Sequence, residues 1–354
     1  MAVGARREWH NIDLICGAGL DIATLTPLLC NHIRNFVGAA AVAMFWMDEN
    51  GMPIGLHHED SPESARDLFV NEFERLFTGP SEINVATLAK SDGGKKSILL
   101  SPPSDYFRSN TFNLLVRPSG HHHALDLRVG VDGKVRVIVL LFREEANAFT
   151  AGDVKRLKTI EPCLHRALTC CGVSRWREKG EKGQLIVDAA GEFVLFHNDA
   201  AERLLKECTL VGQEVRLMGP IVRAPVFVRD LCSRYGEPWP RQTTVFIPSG
   251  RFAVTATPMR ASPAVAPAAQ SILVTLELQV AVCLDVITSL MQTKLSPIQR
   301  RIGLAAAGDS PRADIPVQMG ISGEALKKHL AAIYSTFNVS SWESLRQTIQ
   351  AERN

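Results

Sequence analysis

The 354-residue sequence contains no apolar run near the roughly 18 residues that a membrane helix needs. Its first twenty residues carry Arg6 and Arg7, but the short apolar run that follows is broken by Asp13, which argues against a leader or anchor. Charge of one sign is scarce too. The net charge is +2 at pH 7, so contact with nucleic acid has to come from a local patch and not from a field of the whole chain. The eight cysteines (Cys16, Cys30, Cys163, Cys170, Cys171, Cys208, Cys232 and Cys283) include no CxxC pair and are too sparse for a disulfide scaffold. Reduced, mostly buried thiols in a cytoplasmic protein are expected. There is no P-loop, no GxGxxG after a strand, no HExxH and no GxSxG, so neither an enzyme nor a resident cofactor is expected.

What is present is enough apolar character, 46%, to build real cores, and length for two or three domains. Three blocks can be drawn. Residues 8–172 open on a helical pattern (Ile15, Ile22, Leu25, Leu28, Leu29, Ile33, Phe36). The β run AAVAMFWM follows, then an Asn50-Gly51 hairpin signal. A second helix spans Pro62 to Phe77, and the Gly/Ser/Lys stretch AKSDGGKKS reads as surface loop. Two strands then flank Asp132-Gly133, and a helix runs from Asp153 to Cys171. The charged stretch RWREKGEKG is read as a linker. Residues 180–278 give strand, turn, strand, a helix capped by Asn198, and three later strands. Residues 279–294 read as a connector helix, and residues 295–352 are all helical.

The last block carries the clearest motif. Ser296-Pro297-Ile298-Gln299 has the form of a capping box with proline in the first turn, and Ser340-Ser341-Trp342-Glu343 has that of a second one. Met319-Gly320 ends a short helix and Ser322 caps a longer one. On the longer helix Leu326, Leu330, Ile333 and Phe337 fall on one face, which must pack inward. The opposite face holds Glu324, Lys328, Ala331 and Ser335, with Lys327 on its flank. An apolar back and a small or basic front suit the major groove.

Over its full length this block resembles the LuxR (GerE-type) helix-turn-helix. The marks are Leu295-Ser296-Pro297, Gly320-Ile321-Ser322, Lys327, His329, Ile333-Tyr334 and Val339-Ser340-Ser341. The resemblance implies a four-helix DNA-binding domain in which Lys327 and Lys328 face DNA, with Ala331, Ser335 and His329 beside them. The block departs from the family pattern at Arg301 and Ala325, in a segment between Gly308 and Gly320 one residue longer than usual, and at Pro316. That proline falls inside the expected scaffold helix, where it would remove a backbone donor and clash with the preceding turn. QLIVDAAGEFVLFHNDAAERLL, RFAVTATPM and SILVTLEL resemble a PAS domain. The first block is similar to GAF-like sensor domains through Tyr106-Phe107, Arg117-Pro118 and EANAFTAGDVKRLKTIEPCLHRAL. Phe45, Trp46, Tyr106 and Phe107 are read first as core and second as the lining of a ligand cup.

The expected architecture is therefore multidomain: two α+β sensor domains, GAF-like and PAS-like, ahead of an all-α helix-turn-helix. The expected function is DNA-binding transcription regulation in response to a small ligand or partner. Double-stranded DNA and a second copy of the chain are the expected partners, with RNA polymerase and a small molecule as further candidates, and no membrane. The alternatives are an interaction module with a degenerate helix-turn-helix, favoured by Pro316, and a metal or redox sensor. For the latter, His121-His122-His123 and His57-His58 are conspicuous, but adjacent strand residues alternate, so at most His121 and His123 converge. No standard ligand spacing accompanies them. The run is read as a polar loop entering a strand, and no metal site is expected.

Overall fold

A computed structural model describes residues 3–79, 82–91, 97–169, 175–260, 270–308 and 310–351. Among these the strands form two antiparallel sheets, with helices around them and an all-helical C-terminal segment.

Helices α1 (Val3–Cys16) and α2 (Ile22–Val37) replace the single helix expected from the N-terminal pattern. Gly19 takes φ 69° in the break, and the Asp21 carboxylate accepts the Ala23 N–H at 2.8 Å to start α2. Strands β1 (Ala41–Met47) and β2 (Pro53–His58) form the expected hairpin. Only Gly51 needs positive φ there, because Asp48 Oδ1 accepts the N–H groups of Asn50 and Met52 and closes the turn. Helices α3 (Glu63–Leu76) and α4 (Val85–Lys90) and the turns of Ser104–Ser119 lead into β3 (His123–Val131) and β4 (Lys134–Arg143). Asp132 and Gly133 between them both take positive φ, the hairpin turn that the pair predicts. The sheet order is β2-β1-β4-β3, and β1 is buried along its whole length. The expected helix from Asp153 is two helices, α5 (Ala151–Lys158) and α6 (Glu161–Thr169), because Pro162 fits only a first turn. Cys170 and Cys171, and residues 92–96 of the expected loop, lie outside the described residues.

The stretch read as a linker is in part structured: β5 (Trp176–Glu178) pairs with the far end of β10. After it come β6 (Gly183–Asp188), β7 (Val194–His197), α7 (Asp199–Glu207), α8 (Val226–Cys232), β8 (Arg241–Ile247), β9 (Gly250–Arg260) and β10 (Gln270–Ala281). The order is β7-β6-β10-β9-β8. Alternate residues Leu185, Val187, Phe252, Val254, Val274 and Leu276 are buried, as one covered face requires. Asn198 caps α7 as expected, accepting the Ala201 N–H at 2.9 Å.

The connector is α9 (Val282–Gln292), shorter than residues 279–294 because Gln279–Ala281 are held in β10 by β5. It packs against α10 (Pro297–Ala307), where Gly303 leaves room for the Leu290 side chain. Helices α11 (Ile315–Met319), α12 (Gly323–Phe337) and α13 (Trp342–Ala351) complete the chain. The Ser296–Gln299 capping box forms. At α13 the cap is Ser341, paired reciprocally with Ser344, one position later than the sequence pattern suggested.

The three blocks share one continuous apolar core. The first block is the hub. The backbone of the Thr209–Val211 segment pairs with the outer edge of β2: Leu56 N–H donates to Thr209 O and Val211 N–H to Ile54 O, each at 3.1 Å. Thr24 Oγ1 donates to Gly250 O, and Arg300 of α10 donates to Asn11 Oδ1 of α1 at 3.2 Å.

Candidate functional site

Helix α12 is built to present one face. Gly320 closes α11 in the left-handed region (φ 64°), and Ile321 N–H reaches back to Pro316 O at 3.0 Å. Ser322 Oγ then accepts the Ala325 N–H at 3.2 Å and starts α12. Leu326, Leu330 and Ile333 are buried against the neighbouring helices, and Phe337 is half-buried. Burial of one apolar stripe fixes the opposite face outward.

On that outward face Glu324, Lys328, Ala331 and Ser335 are exposed at helical spacing, with Lys327 exposed on one flank. His329 falls on the other flank and is half-buried, so four of the five residues expected at the DNA share one surface and His329 does not. Ala331 and Ser335 are small, so this part of the face carries no bulky side chain. Lys327 Nζ sits 2.7 Å from Glu324 Oε1, which neutralises part of the stripe. Lys328 has no ion pair among the described residues. Of the basic residues in this block, Arg300 turns inward, donating to Thr293 O at 2.8 Å as well as to Asn11. The sequence gives no sign of that role, because it depends on α1 lying alongside α10.

Pro316 does not break the scaffold helix. A short turn over Arg312–Asp314 precedes α11, and Pro316 occupies the first turn of α11, where its missing N–H leaves no bond unmade. That turn lies within the connection from Gly308 to Gly320. Val317, next to it, is 86% exposed.

The first block encloses a cavity of ≈ 60 Å³ between one sheet face and α3, α4 and the Ser104–Ser119 turns. Phe45, Leu56, Phe69, Leu140 and Phe142 form much of its apolar wall. Tyr106 joins them, and burial pushes its phenol up from the ordinary value. Of the four aromatics singled out in the sequence, Phe45 and Tyr106 line this space and Trp46 and Phe107 do not. Trp46 points to the other sheet face and lies over Gly55, whose Cβ position its ring would fill. Phe107 stacks on His122 with centroids 5.4 Å apart. Several polar groups on the wall are already engaged. Thr111 Oγ1 donates to Glu82 at 2.6 Å, and Asn84 Oδ1 accepts from Ala86 N–H.

The three histidines of the run diverge. Only His123 belongs to β3, so strand alternation does not govern the others. His123 Nε2 lies 3.0 Å from Glu145 O, and His122 faces Phe107 and Phe112. His121 turns inward, with Nε2 at 3.1 Å from Asp60 Oδ1, and desolvation holds its imidazole below the usual value. Five cysteines, Cys16, Cys30, Cys163, Cys208 and Cys232, are buried thiols. Burial pushes Cys208 up to about 12 and Cys163 to about 11, the reverse of what a reactive thiol needs. Among the described residues no helix is long and apolar enough to cross a membrane. Compared with known proteins, the chain matches no family model and no curated sequence.

Proposed function

We propose that the chain is a cytoplasmic, DNA-binding transcription regulator with no catalytic role of its own. In this reading residues 295–352 are a LuxR-type helix-turn-helix, residues 8–172 a GAF-like sensor and residues 180–278 a PAS-like one. The observation that carries it is the outward face of α12: a 15-residue helix, capped by Ser322 and anchored by Leu326, Leu330 and Ile333, presents Lys328, Ala331 and Ser335 to solvent. A helix held this way behind a tight Gly320 turn can enter a major groove, with lysines at its N-terminal half where the helix dipole also favours phosphate.

The cavity supports the sensing half of the proposal. It is small and mostly apolar, so its ligand is a compact, largely apolar molecule. The connections already described give it a route outward: the β2 edge to the central block, and α1 to α10. A single helix-turn-helix makes few contacts, so the active form is a homodimer on a two-fold site, with RNA polymerase as a further contact. Light scattering of the DNA complex tests this, and monomer alone at micromolar concentration refutes it.

The rival is an interaction module with a degenerate helix-turn-helix. The Lys327–Glu324 pair favours it, as does the weak charge of the stretch from Leu295 onward, seven Lys/Arg against five Asp/Glu. Binding of the full chain to fragments from a genomic map separates the two readings. DNA affinity that falls with rising salt supports the regulator, and no binding at low salt supports the rival.

A further inference from the structure

We propose that His58, Asp60 and His121 form a binding site for one divalent first-row transition-metal ion. The three come from two separate segments: His58 ends β2, Asp60 follows it in the turn, and His121 precedes β3. β2 and β3 are the outer strands of the sheet, so the cluster spans its end, over Phe142 of β4. Asp60 Oδ1 lies 3.2 Å from His58 Nδ1 and 3.1 Å from His121 Nε2. The donor atoms of all three lie within 4.8 Å of one another. Metal bonds of about 2.0–2.1 Å in tetrahedral geometry place ligand atoms about 3.3 Å apart. The two carboxylate–imidazole spacings therefore need to open only slightly to admit an ion.

The rings are already placed. His121 stacks on Phe142 with centroids 5.0 Å apart and planes 12° apart, and His58 packs on the same ring at 5.2 Å. Their side chains are 4% and 10% exposed, so little rotamer freedom remains to be lost on binding. The Asp60 side chain is 46% exposed, which gives an entry path and leaves coordination positions open to water. Asp60 also has no lysine or arginine partner among the described residues; its hydrogen bonds go to the two imidazoles. Bound through a carboxylate and two neutral imidazoles, an ion would meet one negative charge from its ligands. His121 Nδ1 is buried and has no partner, so no second bond fixes its tautomer. Nε2 binds the ion once the ring proton sits on Nδ1, a shift that breaks no hydrogen bond other than the one to Asp60.

The donor set, two nitrogens and one oxygen, selects zinc, cobalt, nickel or iron(II) over calcium and magnesium, which prefer all-oxygen sites. His58 also lines the apolar cavity, so an ion held here sits against the wall of the proposed ligand site. The histidine run contributes a single ligand; the other two lie about sixty positions earlier, in the segment His57-His58-Glu59-Asp60.

The probe is Co²⁺, titrated into the chelator-treated full chain and followed by its visible d–d absorption, with Zn²⁺ competition. One equivalent should bind and be displaced by Zn²⁺. Asp60→Asn, at a half-exposed position, should weaken binding at least about tenfold, the least that loss of even an outer-shell partner costs. His58→Gln and His121→Gln should abolish it, with circular dichroism confirming the fold. If either histidine variant unfolds, Asp60→Asn decides. His122→Ala/His123→Ala should keep one equivalent. Absence of Co²⁺ binding, binding unchanged by Asp60→Asn, or binding lost in the His122/His123 double variant would overturn the site.

Discussion

Leu56 and Thr209 join the cavity to the rest of the chain: the Leu56 side chain lines the cavity while its backbone N–H donates to Thr209 O at 3.1 Å. Thr209 Oγ1 returns a hydrogen bond to Leu56 O. The cavity wall and the central block therefore meet at one residue. A molecule that displaces Leu56 must also strain this pairing. Thr209→Val keeps the shape of the side chain and removes the returned bond. It should cost about 1–2 kcal/mol in urea denaturation. An unchanged midpoint and slope would show that the pairing is not held in solution.

Pro316 offers a second check, because its position and not its presence decides its effect. In a helix interior, replacing it would stabilise the domain by about 3 kcal/mol. In the first turn of α11 its fixed φ suits the helix, so Pro316→Ala should shift stability by less than about 1 kcal/mol. A large rise in thermal midpoint would place the proline inside a longer scaffold helix, as the sequence pattern first suggested.

Thiol reactivity tests the core. With Cys208 raised to about 12 and Cys163 to about 11 by burial, both are almost wholly protonated and enclosed at pH 8. Iodoacetamide should leave them unmodified in the folded chain and label them in urea, as read by peptide mass spectrometry. Rapid labelling of either in the native state would mean that the packing around it opens readily, and would revive a redox role for it.

The sequence was informative wherever the chemistry is local. Asp132-Gly133 fixes a hairpin through backbone φ, Asn198 and Ser322 cap helices through one side-chain bond each, and Leu326, Leu330 and Ile333 mark a buried stripe by spacing alone. It misled where a single residue outweighs a pattern. The helix expected through Ile15 and Phe36 is interrupted at Gly17–Asp21, and RWREKGEKG, charged enough to look like linker, puts Trp176–Glu178 into a strand because the end of β10 needs a partner. Contacts between distant segments were invisible. The inward turn of His121 to Asp60 depends on the sheet order, and the bond from Arg300 to Asn11 depends on α1.

Salt-dependent DNA binding of the full chain tests the central claim most directly, with Lys327→Ala, Lys328→Ala and Glu324→Gln beside the unmodified protein. The target is a fragment found by mapping bound DNA across the genome. Lys328, exposed on the outward face, should read a base, so Lys328→Ala should relax sequence preference by about 1–3 kcal/mol. Lys327 should hold a phosphate, so Lys327→Ala should weaken binding to every sequence and reduce the salt slope by about one unit. Glu324→Gln frees Lys327 from its 2.7 Å pair and should tighten binding to all DNA. Leu330→Ala is the control for folding and should cost the C-terminal helices about 2–5 kcal/mol. If both lysine variants bind the genomic fragment as tightly as the unmodified chain, α12 does not read DNA and the interaction-module reading replaces the regulator.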